Sequence, residues 1–255
     1  MELFDTHCHL DFPVFDADRK LLIEKSLENG IQNILLPGVK KEDWRVLRMH
    51  VALNKPLHAA LGLHPMFIDE HTEQHLHDLD MALNLPPVVA VGEIGLDFYD
   101  RSLDREKQES FFRAQLKIAK KRKLPILLHV RKAHDEVLKH LGFLQFTEGG
   151  IVHAFNGSLQ HAKNYISKGF KLGFGGTMTY SRSVKIRELA KIIPLESIVL
   201  ETDAPDMVPS SSSSKRNTPV HLLDNFRALC KLRGESPEEI ARVTTSNAKK
   251  VLRLD

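Results

Sequence analysis

Cysteine is scarce. Cys8 and Cys230 are the only two in 255 residues, too few and too distant for a disulfide framework, and they read as reduced thiols in a cytoplasmic protein. Long apolar runs are missing: no stretch approaches the roughly 20 residues that cross a bilayer, so no membrane association is expected. The opening residues, MELFDTHCHLDF, show no basic segment followed by an apolar one, so no secretory leader is read. Neither a P-loop nor a dinucleotide fingerprint occurs, which argues against a nucleotide cofactor. With one tryptophan and three tyrosines, no stacking platform for a long single strand is evident. Charge of one sign is not in large excess: a net charge of +3 permits an anionic substrate without arguing for one.

Histidine is what the chain has in abundance, 14 residues of the type that most often binds metal and moves protons. With 42% hydrophobic residues the chain can also bury a large core without cross-links. Eight short apolar runs read as strands: Glu2–His9, Ile31–Pro37, Leu57–Leu63, Val88–Ile94, Pro125–Val130, Ile151–Ala154, Phe170–Phe174 and Ile198–Glu201. Helical patterns separate them, among them Ala17–Asn29 ending before Gly30, Leu103–Lys123, Arg182–Ile193 and Val220–Arg233. Ser236 and Glu239 carry the spacing of a capping box for a last helix. This alternation predicts an α/β chain, a (β/α)8 TIM barrel in one domain over residues 1–255, expected as a monomer, with an open doubly wound sheet as the competitor.

Polar residues decide between the two. They collect at the C-terminal ends of the strand candidates: His7 and His9, His64, Glu93 and Asp97, His129 and Arg131, His153, then Glu201 and Asp203. A barrel gathers those ends at one mouth, whereas an open sheet spreads them along an edge. His7 and His9, two apart on a strand, share a face, and Cys8 between them points away into packing. Strands one and eight adjoin in a closed barrel, so this pair meets Glu201 and Asp203, and Glu93, His129 and His153 complete a ring. Imidazoles and carboxylates in one cavity suit divalent cations, enough of them for two ions. Asp5 lies deeper on the same face and is expected to orient a ligand histidine. Arg131 faces the cavity, where its guanidinium suits phosphate oxygens.

Other residues carry less. His71, His75 and His77 read as a solvated helix face, His50, His140 and His161 as surface, and Asp97 as a helix cap or ion-pair partner; His134 is left undecided. The run KIAKKRK, Lys117–Lys123, belongs to a helix end at the bottom of the barrel. Lys40, Lys41, Arg101, Lys132, Arg182, Lys215 and Arg216 follow strands and join Arg131 in a basic rim. Glycines in KLGFGGTMTYSR permit close approach of a substrate. The serine-rich stretch Pro209–Ser214 reads as a mobile loop.

The motifs DTHCHLDF, LGLHP, VGEIGLDFY, LPILLHVRKAHDE, GIVHAFNGS, LGFGGTMTY and VLETDAPDM, spread in order over residues 5 to 207, resemble those of the TatD-like metal-dependent hydrolases of the amidohydrolase superfamily, and of their YjjV-like branch. The resemblance implies a TIM barrel with a two-metal centre. His7, His9, Glu93 and Asp203 would hold one ion, and Glu93, His129 and His153 the other. His64 and Arg131 would face substrate, and Glu201 would stand behind the ligands or join them. Zinc, manganese and magnesium are the expected cations. Deoxyribonuclease activity working from a 3′ end (3′-5′ exonuclease-like) is implied, on DNA or another phosphate-containing substrate, with Asp203 and Glu93 as catalytic groups. Two alternatives are another ester or amide, such as aminoacyl-tRNA, in the same centre, and a metal-binding barrel without catalysis.

Overall fold

In the computed structural model, which describes residues 1–254, eight parallel strands neighbour one another in chain order. They are β1 (Leu3–Asp5), β2 (Ile31–Pro37), β3 (Leu57–Leu61), β4 (Val88–Asp97), β5 (Ile126–Arg131), β6 (Gly150–Val152), β7 (Phe170–Phe174) and β8 (Ile198–Leu200). Nine α-helices follow among the described residues: α1 (Arg19–Glu28), α2 (Trp44–Leu53), α3 (Glu73–Ala82), α4 (Arg105–Arg122), α5 (His134–Phe143), α6 (Leu159–Ile166), α7 (Val184–Ile192), α8 (Leu222–Leu232) and α9 (Pro237–Leu252). The expected TIM barrel is present. Gly30 follows α1 with φ of 83°, and Ser236 Oγ caps α9 by accepting from the Glu239 amide at 3.2 Å.

Closure is made just beyond the ends of β1 and β8. The Thr6 amide donates to Leu200 O at 3.0 Å, the Asp203 amide to His7 O at 2.8 Å, and the His9 amide to Ala204 O at 2.8 Å. The first strand therefore stops at Asp5 instead of running to His9, because the chain there turns to bond the segment after β8. Asp5 fastens the seam. Its carboxylate accepts from the Thr202 amide at 2.9 Å, the Thr202 hydroxyl at 2.6 Å and the His7 amide at 3.3 Å. Asp5 was expected to orient a ligand's ring; it holds two backbones instead. Burial pushes its carboxyl up to about 8 against the pull of the Thr202 hydrogen bonds.

Strand side chains divide by alternation. Phe4, Leu35, Ala60, Ala90, Leu127, Ile151 and Val199 form the barrel interior, and Ala248, Val251 and Leu252 of α9 close it from below. Their neighbours, including Ile34, Leu36, Ala59, Leu61, Ile126, Leu128, Ile198 and Leu200, pack outward against the helices. The basic run at the end of α4 also serves packing: Lys121 and Arg122 donate to Asp80 of α3 at 2.7 and 2.6 Å.

Two histidines expected at the surface are buried. His71 precedes α3 and lies 3.0 Å from His64 O through Nε2. His140 packs beneath α4, 3.1 Å from Glu109. His134 is buried at the start of α5, with Nε2 3.1 Å from Asn156 Oδ1. Burial lowers both His71 and His134 to about 4. The unfolded chain, with histidines near ~6.5, then binds protons that the folded chain refuses. Stability present above pH ~6.5 is lost as pH falls toward 4. Urea midpoints at pH 7 and pH 4.5 should show a large drop in the parent and a smaller one in His134→Gln.

Candidate metal centre

Alternation along the strands carries the interior face up to the mouth. From Ala60 it leads to His64, from Leu127 to His129 and Arg131, from Ile151 to His153, and from Val199 to Glu201 and Asp203. Two strands need an irregularity to join them. On β4, Val91 and Ile94 both face outward across a register shift, and this turns Glu93 inward. After β1 the chain leaves the strand, and His7 and His9 flank an outward Cys8 that pairs with Ala204. Gly95, at φ 152°, is required here: a Cβ would stand 1.9 Å from His129 O, so only glycine lets β4 and β5 lie this close beside Glu93.

Glu93 is the hub. It is 2% exposed, and its two oxygens face different histidines. Oε2 lies 3.1 Å from His7 Nε2 and 3.8 Å from His9 Nε2. Oε1 lies 3.1 Å from His129 Nδ1, 3.4 Å from His64 Nε2 and 3.9 Å from His153 Nε2. Asp203 Oδ1 stands 3.7 Å from both His7 and His9, and Oδ2 stands 3.7 Å from His153. Asp203 takes a left-handed backbone, φ 58°, of the kind that gathers at functional sites.

Charge in this cavity is finely opposed. Burial alone would raise Glu93, yet His7, His64, His129 and His153 hold it well below the usual carboxylate range. Burial likewise would lower His153, but Asp203, Glu201 and Glu93 bring it to about 10. Asp203 is raised to about 6 by burial, against the pull of His153 and His7. Burial and the neighbouring His7 push His9 far down.

The donors fit divalent cations. His7 Nε2 is buried and approaches Glu93 closely, yet makes no hydrogen bond to any protein atom. The His7 and His153 rings stack at 3.7 Å between centroids. Buried lone pairs that converge without bonding one another are what a cation satisfies. Three sets of donor atoms lie within 4.8 Å of one another: His7, His153 and Asp203; His7, His9 and Glu93; His64, Glu93 and His129. His64, expected to face substrate, also reaches the carboxylate hub, its Nε2 3.4 Å from Glu93 Oε1. Its Nδ1 accepts from the Met66 amide at 3.1 Å, which leaves the proton of the neutral ring on Nε2.

Two supporting carboxylates stand behind this set. Glu201 Oε1 accepts from the Ala154 amide at 2.7 Å and lies 3.3 Å from His153 Nδ1. Gly173 gives it room, since a Cβ there would meet Glu201 Oε2 at 2.1 Å. Asp97 was read as a helix cap or ion-pair partner. Asp104, not Asp97, caps α4, accepting from the Lys107 amide at 3.0 Å. Asp97 ends β4 and accepts from His129 Nε2 at 2.9 Å, which turns Nδ1 toward Glu93. Its GLD context gave a sequence signal in the strand's alternation, two residues past Gly95. Arg131 is exposed, its guanidinium 3.7 Å above the Tyr99 ring, and it lines a cleft of about 440 Å³ with His129, His153, Asp203, Phe174 and Met207. The serine run is tied at its start, where Ser210 bonds Thr179 through both its amide and its hydroxyl at 2.8 Å.

A parallel eight-stranded barrel with imidazoles and carboxylates gathered at its C-terminal mouth has the architecture of a metal-dependent hydrolase. The chain belongs to the TatD related DNase family, which matches residues 4–253. It is 40% identical over 245 residues to the uncharacterized metal-dependent hydrolase YjjV of Escherichia coli (strain K12), covering 95% of each chain. The crystal structure of that TatD homologue superposes with a TM-score of 0.94 at 39% identity, covering 99% of this chain and 98% of that one. The 3'-5' ssDNA/RNA exonuclease TatD of Erwinia billingiae is 32% identical over 260 residues, covering 99% of each.

Asp97→Asn should leave the fold intact and lower metal affinity by about 10–100-fold, since the amide can present its NH2 to Nε2 and favour the wrong tautomer. Titration calorimetry with zinc checks this. In His9→Ala, elemental analysis should show less bound divalent metal per chain than in the parent.

Proposed function

We propose that this chain acts as one hydrolase domain over residues 1–255 and cleaves phosphodiester bonds of DNA from a 3′ end, at a centre holding two divalent cations. The observation that carries the two-cation reading is the division of Glu93, with one oxygen toward His7 and His9 and the other toward His129, His64 and His153. His7, His9, Glu93 and Asp203 would hold one cation, and Glu93, His129 and His153 the other. Imidazole and carboxylate donors suit zinc or manganese, with magnesium a further candidate. When bound, such cations lower the pKa of a water and polarise a phosphoryl oxygen.

The residues of the chain supply the rest. Asp203, at the mouth and partly open to solvent, is the carboxylate placed to take a proton from the attacking water. Arg131, at the cleft, holds phosphate oxygens. His64, with its proton on Nε2, faces Glu93 Oε1 at 3.4 Å and supports that carboxylate's charge. Glu201 and Asp97 keep the rings of His153 and His129 turned to the hub. Relatives named 3'-5' ssDNA/RNA exonuclease support nucleic acid as substrate.

End-labelled single-stranded DNA tests the reading. Metal-loaded protein should shorten it from the 3′ end, and chelation should stop cleavage until zinc, manganese or magnesium is restored. Asp203→Asn should lower kcat by about 10²–10⁴-fold. If the purified, metal-loaded protein cleaves neither DNA nor bis(p-nitrophenyl) phosphate, while hydrolysing an aminoacyl-tRNA ester, the substrate class is wrong.

A further inference from the structure

Several residues of the basic rim read from the sequence are already paired. Lys40 pairs with Glu70 at 3.3 Å, Lys41 with Asp78 at 2.9 Å, and Arg216 with Asp18. These charges are neutralised by their own neighbours. Arg131, Lys132 and Lys185 have no carboxylate within 4.0 Å among the described residues, and all three line a second cleft of about 450 Å³. Lys185 comes from the start of α7 and had no place in the sequence-based rim.

This second cleft adjoins the one at the metal centre, with Arg131 and Asn156 lining both. Asn156 also positions a cation: its carbonyl oxygen accepts from Lys185 Nζ at 2.8 Å. Asp135, nearby at the start of α5, lies 3.0 Å from His161 and leaves the three cations unanswered. Tyr99, on the same cleft, is 59% exposed with the Arg131 guanidinium over one face. Three uncompensated cations around a concave surface attract a second anionic group, and an exposed ring beside them offers a stacking face to a base.

We propose that this cleft holds the backbone phosphate of the nucleotide next to the one being released, with Tyr99 against its base. The proposal rests on the nuclease reading and adds to it. The substrate is a single-stranded oligonucleotide, gripped by Lys132 and Lys185 one phosphate away from the bond that breaks, with Arg131 between that phosphate and the reacting one. A small phosphodiester without a neighbouring phosphate would use the metal centre alone.

Steady-state kinetics on a single-stranded trinucleotide and on bis(p-nitrophenyl) phosphate test it with the metal-loaded protein. In Lys132→Gln/Lys185→Gln the KM for the trinucleotide should rise about tenfold relative to that for the small ester. The slope of log KM against log salt should fall by about 0.7, the loss of one neutralised phosphate on a single strand. Tyr99→Ala should raise the same KM ratio about fivefold, and Lys185→Arg should retain the parent value. If the double variant cleaves both substrates with unchanged KM ratio and salt slope, the cleft is not a subsite and the nuclease reading stands. If the parent protein cleaves no phosphodiester at all, both fall.

Discussion

Asp5, wholly buried, accepts hydrogen bonds from the amide and hydroxyl of Thr202 and from the amide of His7. Around that clasp the backbone after β1 exchanges bonds with the backbone after β8, at 2.8 to 3.0 Å. Everything at the mouth depends on this seam. It brings residues 7 and 9 beside residue 203, and it converts a row of strands into a ring whose polar ends face one another. A buried carboxyl is costly to leave unpaired, so the clasp is also selective: a chain with a different partner for Asp5 strands that group in the core.

The second constraint is electrostatic. Glu93 is buried at the centre with five histidines about it, and the pull of His7, His64, His129 and His153 outweighs the desolvation that alone would raise it. His153 is driven the other way by Asp203, Glu201 and Glu93. Such a cavity concentrates donors that have no adequate partners among themselves, as the unbonded His7 ring shows. Backbone detail sets up this crowding. The register shift in β4 turns Glu93 inward, Gly95 lets β5 approach, and Gly173 leaves space for the Glu201 carboxylate. The glycines of LGFGG, read as room for a substrate, in part make room for a supporting side chain.

Much of the architecture was legible in the sequence. Strands buried on both sides are short apolar runs, and the expected Ile31–Pro37 and Phe170–Phe174 coincide with β2 and β7. The residues brought together at the mouth were also marked, because imidazoles and carboxylates at strand ends are hard to explain by packing. Other positions misled for physical reasons. His71 and His140 sit among charged residues in the sequence, yet each is buried by a neighbouring element, through His64 O and Glu109 respectively. Asp97 misled only as a cap, since β4 runs longer than expected; its expected ion pair is made, to His129 at 2.9 Å.

Composition, periodicity and motif order determined by themselves the strand–helix alternation, most of the residues gathered at the mouth, and the family. They do so because apolar spacing dictates which faces can be buried, and because few arrangements of His, Glu and Asp recur at strand ends. Only the tertiary structure decided which oxygen of Glu93 faces which histidine, that Asp5 sews the barrel instead of turning a ring, and which rim cations are already neutralised. Those are distances between residues as far apart as 5 and 202 or 40 and 70, and no local pattern encodes them; they arise when the ring closes and the bulge in β4 reverses its alternation.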